Sequence, residues 1–208
     1  MKAGRRTRLA EPGQTPTEFF YGYQQLLAQG FEALILEDSD VGMTSLSLGA
    51  RIANKLSSFL GGLPVGMALS MLMTRGYQQL NNTDCIVATT NGLGMALAIA
   101  KALGKVKAPV FLLAMGLLPM KPSRWQLLLF GALTRHIHIA CISRSEQAFL
   151  QQLFPRQLIH YIAFGVDVDF WQPTQSPVGQ HDYVLAIGND SHRDWATLVA
   201  AWVPDLPL

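Results

Sequence analysis

The stretch IHYIAFGVDVDFWQPTQSPVGQHDYVLAIGNDSHRDWATL, residues 159–198, decides how this chain is organised. Its first six residues form an apolar run of β-formers, which Gly165, Val166 and Asp167 end as a turn would. The following segment is rich in Pro, Gln, Ser and Gly, which is typical of a linker. A second short strand, a polar turn and a helix opening at Arg193 come next. The stretch therefore predicts the end of one α/β domain and the beginning of another.

Four parts of the chain are predicted from this boundary. They are a flexible basic arm at 1–16, a Rossmann-like domain at 17–172, a linker at 173–181 and the start of a second domain at 182–208. The arm carries Arg5, Arg6 and Arg8 close together. Such a basic cluster is either a solvated surface or a contact for an anionic lipid or substrate, and both interpretations stay open.

Apolar runs alternate with helical patterns along the larger part, at a spacing of about 30 residues. This alternation predicts parallel βαβ units with right-handed crossovers. The strands are predicted at 32–36, 85–89, 109–115, 137–142 and 158–162. The predicted fold class is α/β, with a doubly wound, mostly parallel, Rossmann-like sheet followed by the first βα unit of a second domain.

The helices are predicted from capping residues and apolar periodicity. Thr15, Pro16 and Glu18 have the pattern of a capping box at a helix start, and Gly30 is the expected stop. Further helices are expected over 43–60, 65–80, 125–133 and 146–153, and one between the Gly92 turn and Gly104.

Ligands of such a sheet gather where its strands end at their carboxyl side. The turn after the strand at 85–89 contains Gly-x-Gly, which is typical either of close packing or of a loop that faces a ligand. A dinucleotide site is disfavoured, because the third glycine and the later acidic residue are absent. The candidate acceptor-side residues at these strand ends are Asn91, Gly92, Gly94, Gly116, Ser143 and Arg144.

Composition excludes some functions. The net charge of +2 is too small to indicate nucleic-acid binding. Cys85 and Cys141 lie in apolar runs without metal-ligand spacing, so two buried thiols on neighbouring strands are predicted, and no metal. Residues 1–16 lack the apolar run of a secretory signal, so a cytoplasmic location is expected. A hydrolase is not supported, since no Gly-x-Ser-x-Gly occurs.

Two segments bear on membrane contact. The 19 uncharged residues between Lys55 and Arg75 approach the length of a spanning helix, but glycines and Pro64 interrupt them, which favours two core helices. The helix at 125–133 is apolar on nearly all sides and has basic flanks. That pattern is typical of a buried helix or of one in a membrane interface, and peripheral contact with the inner face of the membrane stays open.

The decisive stretch also resembles a known family. A strand ending in Gly165, Val166 and Asp167, an aromatic pair before Pro173, and a strand ending in Gly188 before Arg193 resemble the interdomain crossing of GT-B glycosyltransferases. The pattern is most similar to the retaining enzymes of glycosyltransferase family 4. The similarity extends over 19–47, 84–116 and 141–202.

This resemblance implies transfer of a sugar from a nucleotide-sugar donor to an acceptor, in a cleft between two domains. The first domain would hold the acceptor, here expected to be lipid-linked or membrane-borne, and the second the donor, with no separate cofactor. Arg193 matches the family's basic phosphate-contacting position, with Asn189 and Ser191 as further donors; an ion pair of Arg193 with Asp194 is the alternative. Gly165, Val166 and Asp167 would form the interdomain hinge.

The chain departs from the family pattern in three places. Ala114-Met115-Gly116 stands where a histidine is common, and Phe164 replaces a common asparagine. The sequence also stops before the acidic sugar-binding motif and the ribose-binding glutamate. It is therefore expected to be a glycosyltransferase fragment, inactive alone, with a non-catalytic binding or membrane-associating module as the alternative.

Overall fold

The computed structural model describes residues 1, 4–10, 13–43, 48–57, 62–172, 186 and 194–202. The chain divides into two compact units, Met1–Trp171 and Gln172–Leu208. The first unit holds the sheet and the hydrophobic core, whose residues run from Val41 to Ile159. In the second unit the structure describes one helix, Trp195–Ala200, which buries none of its residues.

Four parallel strands form the sheet of the first unit. They are β1 (Ile86–Ala88), β2 (Val110–Ala114), β3 (His138–Cys141) and β4 (Ile159–Tyr161), and they pair in chain order. The helices are α1 (Arg5–Leu9), α2 (Tyr23–Ala28), α3 (Leu48–Ser57), α4 (Val65–Met73), α5 (Tyr77–Leu80), α6 (Asn91–Ala102), α7 (Arg124–Thr134), α8 (Arg144–Leu153) and α9 (Trp195–Ala200), with a 3₁₀ helix at Thr17–Phe20. The prediction of an α/β fold with a parallel, Rossmann-like sheet is confirmed.

The order of the strands determines where the helices lie. Right-handed crossovers between sequential neighbours place α6, α7 and α8 on one face of the sheet. Leu112 of β2 points to this face, since a Cβ atom on Gly94 of α6 would collide with its Cδ1. A doubly wound sheet also needs a reversal of strand order, and the described strands contain none.

The strand predicted at 32–36 is not formed. Residues 31–37 have no regular secondary structure, although Ile35 is buried and Leu36 contacts the core. The backbone bond that joins this run to a distant segment comes from Met1, whose amino group donates to Leu36 O (2.6 Å). The carbonyl of Met1 accepts from Asp38 N (2.8 Å), just beyond the run. One paired residue does not make a strand, so an apolar β-forming run stays irregular here.

Helix α6 lies at the centre of the core. Its residues from Leu93 to Ala98 are all buried, because the sheet covers one side of the helix and α4 packs against another. The helix predicted over 65–80 is divided into α4 and α5 at Arg75, which has a φ of 56°. The break places Gly76 in direct contact with the backbone carbonyl of Val41, where a Cβ atom would not fit.

The opposite face of the sheet is less well covered. Val87 and Phe111 point there from neighbouring strands and remain 44% and 38% exposed. Phe111 stacks on His138 of β3, with 4.7 Å between the ring centroids. Parallel sheets are usually covered on both faces, so within the described residues this sheet has the helix layer of one side only.

The prediction of two buried thiols on neighbouring strands is wrong. Cys141 is buried on β3, but Cys85 is exposed just before β1, and β2 lies between these strands. The apolar run around Cys85 begins at an edge strand, whose first residues are open to solvent.

Among the described residues, no helix has both the length and the apolar character to cross a bilayer.

Candidate functional site

The side chain of Asn91 links the carboxyl ends of β1 and β2. Its Nδ2 donates to Met115 O (2.8 Å) and its Oδ1 accepts from Met115 N (3.2 Å). Asn91 begins α6, and Thr90 Oγ1 caps the helix by accepting from Leu93 N at 3.3 Å. The side-chain amide of Asn91 therefore forms hydrogen bonds with the backbone N–H and C=O of Met115, just beyond the point where the pairing of β1 and β2 ends. It holds the two strand ends together.

The two glycines of the Gly-x-Gly turn have different surroundings. Gly94 faces Leu112 so closely that no side chain fits, which agrees with the packing interpretation. A Cβ atom on Gly92 would meet only Met67 Sδ, at an ordinary 3.7 Å. The interpretation of this turn as ligand-facing thus stays a prediction for Gly92, in the first turn of α6.

Glu146 fixes the loop that follows β2. The chain turns at Gly116 with a φ of 66°, and the next amide, Leu117 N, donates to Glu146 Oε1 at 2.8 Å. Glu146 lies in the first turn of α8, whose cap is the hydroxyl of Ser143. Gly116, Ser143 and Glu146 therefore lie close together at the side of the sheet where the strands have their carboxyl ends. The sequence predicted Ser143 at this strand end, but it gave no indication of the role of Glu146.

Arg144 lies at the same edge and remains exposed. Its guanidinium carbon is 4.2 Å from the centroid of the Tyr161 ring, at the end of β4. At an exposed site such a cation–π contact contributes about 0.5–1 kcal/mol. The contact orients the charge of Arg144 beside the end of the last strand.

The segment 165–171, called here the Gly-Val-Asp segment, is attached to the 3₁₀ helix Thr17–Phe20. Asp167 Oδ2 accepts from Thr17 N (2.9 Å), and its Oδ1 accepts from Phe170 N (3.1 Å). The carboxylate of Asp167 thus accepts hydrogen bonds from the first residue of the 3₁₀ helix and from the turn that follows Asp167 itself. The N–H groups of Thr17 and Phe170 hold the pKa of this carboxyl below its ordinary value.

Glu18 of the 3₁₀ helix adds a second set of hydrogen bonds, in which its own carboxylate accepts from the Gly-Val-Asp segment. Its Oε2 accepts from Asp167 N (3.0 Å) and its Oε1 from the indole Nε1 of Trp171 (2.7 Å). Partial desolvation acts to raise the pKa of Glu18, but the bond from Trp171 and those from backbone N–H groups outweigh it, and the pKa is lowered. The expected capping box is therefore replaced by contacts to residues about 150 positions away.

An open cavity of about 550 Å³ lies beside this attachment. Its lining includes the polar side chains of Arg8, Thr15, Gln24 and Asp169 and the aromatic rings of Phe20 and Phe170. The volume is in the range of small-molecule sites, and the mixture of aromatic and polar groups suits a ligand with both hydroxyl groups and apolar faces.

The described residues of the basic N-terminal segment contact the rest of the first unit. Arg5 Nη1 donates to Phe19 O (2.6 Å), and its guanidinium lies 3.4 Å from the Phe19 ring centroid. Arg6 N donates to Glu37 Oε1 (2.8 Å), and its guanidinium pairs with Asp40 (2.8 Å). These contacts place α1, and with it Arg8, at the cavity.

The predicted donor residues Asn189, Ser191 and Arg193 lie outside the described residues. Asp194, which follows them, accepts from Thr197 N (2.9 Å) and Thr197 Oγ1 (2.6 Å) and caps α9.

Within the described ranges no cluster of His, Cys, Asp and Glu side chains has the arrangement of a metal site.

Comparison with models of known protein families, with curated proteins and with solved structures found no match to this chain.

Proposed function

We propose that the first unit is the acceptor-binding domain of a GT-B glycosyltransferase that uses a nucleotide-sugar donor. The observation that carries the proposal is the attachment of the Gly-Val-Asp segment to Thr17 and Glu18 beside the open cavity. The resemblance implies that this segment leads from the acceptor domain toward the donor domain. The doubly wound sheet and the role of Arg193, Asn189 and Ser191 at the donor diphosphate belong to the same proposal.

The lining of the cavity supports a saccharide as the ligand. Asp169 and Gln24 offer a carboxylate and an amide, which bind sugar hydroxyl groups as acceptor and donor. Arg8 adds a cation, and the Phe170 ring offers an apolar face to the C–H groups of a pyranose. The Asp167 carboxylate is engaged with Thr17 and Phe170, so it holds the wall of the cavity in place.

Ligand-observed NMR on the full chain tests the acceptor site. The probes are mono- and disaccharides and short lipid-linked sugar phosphates, added one at a time. We expect Asp169→Asn together with Gln24→Ala to weaken saccharide binding about tenfold or more, since hydrogen bonds to charged groups contribute about 1.5–3 kcal/mol. Glu32→Gln, an exposed carboxylate outside the cavity lining, is the matched control. Equal saccharide binding by the cavity variant and the wild type would remove the basis of the proposal.

The donor side is tested separately with nucleoside diphosphates and nucleotide sugars. Arg193→Ala is expected to weaken their binding, whereas Arg156→Ala, an exposed arginine between α8 and β4, is expected to leave it unchanged. Preferential binding of NAD or FAD would contradict a transferase. Saccharide binding without donor binding or turnover would instead favour the non-catalytic binding module.

A further inference from the structure

Helix α7 has an exposed apolar face in the middle of a basic region. Trp125 and Leu128 are 69% and 63% exposed, and Met120 in the preceding loop is 80% exposed. Phe130 and Thr134, on the other side of the helix, are buried. The spacing of three between Trp125 and Leu128 places both on one face. Large apolar side chains that are this exposed, within nine residues of one another, are typical of an interaction surface.

Basic side chains lie at both ends of this face. Arg124 begins the helix, Arg135 follows its last residue, and Lys121 precedes it in the loop; all three are exposed. Arg124, Leu128 and Arg135 are separated by four and seven residues, which keeps them on one side of the helix. The helix spans about 16 Å. Its outward face therefore has cations at each end and apolar side chains between them.

The stretch of sequence that contains α7 carries charges of one sign. Between Asp84 and Glu146 the chain has no acidic residue. The same stretch carries seven basic ones, which are Lys101, Lys105, Lys107, Lys121, Arg124, Arg135 and Arg144. The rest of the chain has nine basic and fourteen acidic residues, so the small net charge of +2 conceals a strong separation.

We propose that this surface, the α7 face, binds an anionic lipid bilayer. The α7 face consists of Met120, Lys121, Arg124, Trp125, Leu128 and Arg135. Trp125, Leu128 and Met120 enter the headgroup region, while the cations at the two ends contact lipid phosphates, as in helices that lie in a membrane interface. The proposal stands on this surface alone and does not depend on the proposed transferase activity.

Charge and chemistry favour a bilayer over other partners. A second copy docked on the same face would bring two basic surfaces together, which costs free energy. A nucleic acid would contact the cations but would leave exposed Met120 and Leu128 without an apolar partner. An anionic bilayer satisfies both the charges and the apolar side chains.

Sedimentation of the full chain with lipid vesicles tests this proposal. Phosphatidylcholine vesicles with and without phosphatidylglycerol provide the anionic and the neutral surface. We expect binding to the anionic vesicles that weakens in high salt. Lys121→Gln with Arg124→Gln should lower the partition coefficient roughly thirtyfold, because each basic residue near an anionic surface contributes about a fivefold factor.

A second pair of variants tests the apolar contribution. Trp125→Ser with Leu128→Ser is expected to lower the partition coefficient at least tenfold, through the loss of buried apolar area. Leu158→Ser with Arg156→Gln, two exposed residues outside the acid-free stretch, is the matched control and is expected to bind as the wild type does. All substituted side chains are exposed, so thermal unfolding should remain close to that of the wild type, and this is measured for each variant.

A fluorescence titration gives an independent readout. The emission of Trp125 should shift to the blue on binding anionic vesicles, and the shift should be absent in Trp125→Phe. The proposal is overturned if folded α7-face variants bind vesicles as the wild type does, or if neutral and anionic vesicles bind equally. It is also overturned if the same variants abolish self-association or RNA binding while vesicle binding is missing in the wild type.

Discussion

The Gly-x-Gly turn at the start of α6 shows how two identical residues take different roles. Gly94 allows α6 to approach β2 at Leu112, whereas Gly92 has room for a side chain. Close packing of a helix against a strand is one use of glycine, because the residue has no Cβ atom. Only the packing at Gly94 excludes a substitution on steric grounds.

Alanine at these two positions should have different effects on the free energy of unfolding. We expect Gly94→Ala to lower the free energy of unfolding by about 1–3 kcal/mol, because its methyl group overfills the contact with Leu112. Gly92→Ala should change the free energy of unfolding little or raise it by up to about 1 kcal/mol, since alanine favours the helix. Urea denaturation measures both. Adding Leu112→Val to Gly94→Ala should cost less than the sum of the single changes, and strict additivity would argue against a direct contact.

The two cysteines should react at very different rates. Cys85 is exposed, whereas burial, with a smaller contribution from Glu146, raises the pKa of the Cys141 thiol to about 12. Since the thiolate is the reactive form, a thiol reagent at pH 8 is expected to modify one cysteine in the native protein and the second only on unfolding. Cys85→Ser should remove the fast reaction. Fast modification of Cys141 in that variant would show that β3 opens readily.

At the scale of elements, the sheet follows local sequence patterns and the site does not. The apolar runs at 85–89, 109–115, 137–142 and 158–162 each contain an observed strand, because β-branched and aliphatic residues between turns favour buried strands. The run at 32–36 has the same local character, but no strand of the described residues pairs with it. Pairing is a property of two segments, and one segment alone does not reveal it.

The same limit explains what was missed in the candidate site. The bonds of Asn91 to Met115, of Glu146 to Leu117 and of Glu18 to Trp171 join residues 24, 29 and 153 positions apart. No periodicity or capping pattern encodes such partners. Local patterns did locate the residues at strand ends, as for Ser143 at the cap of α8.

The attachment between the Gly-Val-Asp segment and the 3₁₀ helix should depend on pH. The pKa values of Asp167 and Glu18 are lowered in the folded protein. Their stabilising contribution is therefore complete above the ordinary carboxyl pKa of about 4 and is lost as the pH falls through the lowered values. Thermal unfolding followed by circular dichroism should show a melting temperature that declines on acidification below about pH 5.

Variants of these two residues separate this effect from general acid unfolding. Asp167→Asn with Glu18→Gln is expected to melt at a lower temperature at neutral pH and to lose less stability on acidification. Glu32→Gln, which takes no part in these hydrogen bonds, should keep the wild-type dependence. An identical pH profile for the double variant would mean that the attachment does not contribute to stability.

At the scale of the whole molecule, the first unit contains every residue of the described hydrophobic core. Helix α9 buries none of its residues. A chain ending at Gln172 is therefore expected to unfold cooperatively, with a melting temperature within about 4 °C of that of the full chain. Differential scanning calorimetry measures both. Loss of cooperative unfolding in the shorter chain would show that residues beyond Gln172 complete the core.

The pairing of strands in chain order has a consequence for biosynthesis. Each described strand after β1 pairs with the strand made just before it, with partners such as Ile86 and Val110, or Ile139 and Ile159, only 24 and 20 residues apart. At a translation rate of about 5–20 residues per second, each new strand follows its partner within about 1–5 s. The sheet can therefore grow one βα unit at a time as the chain leaves the ribosome, and no interior strand has to wait long, unpaired, for a distant partner.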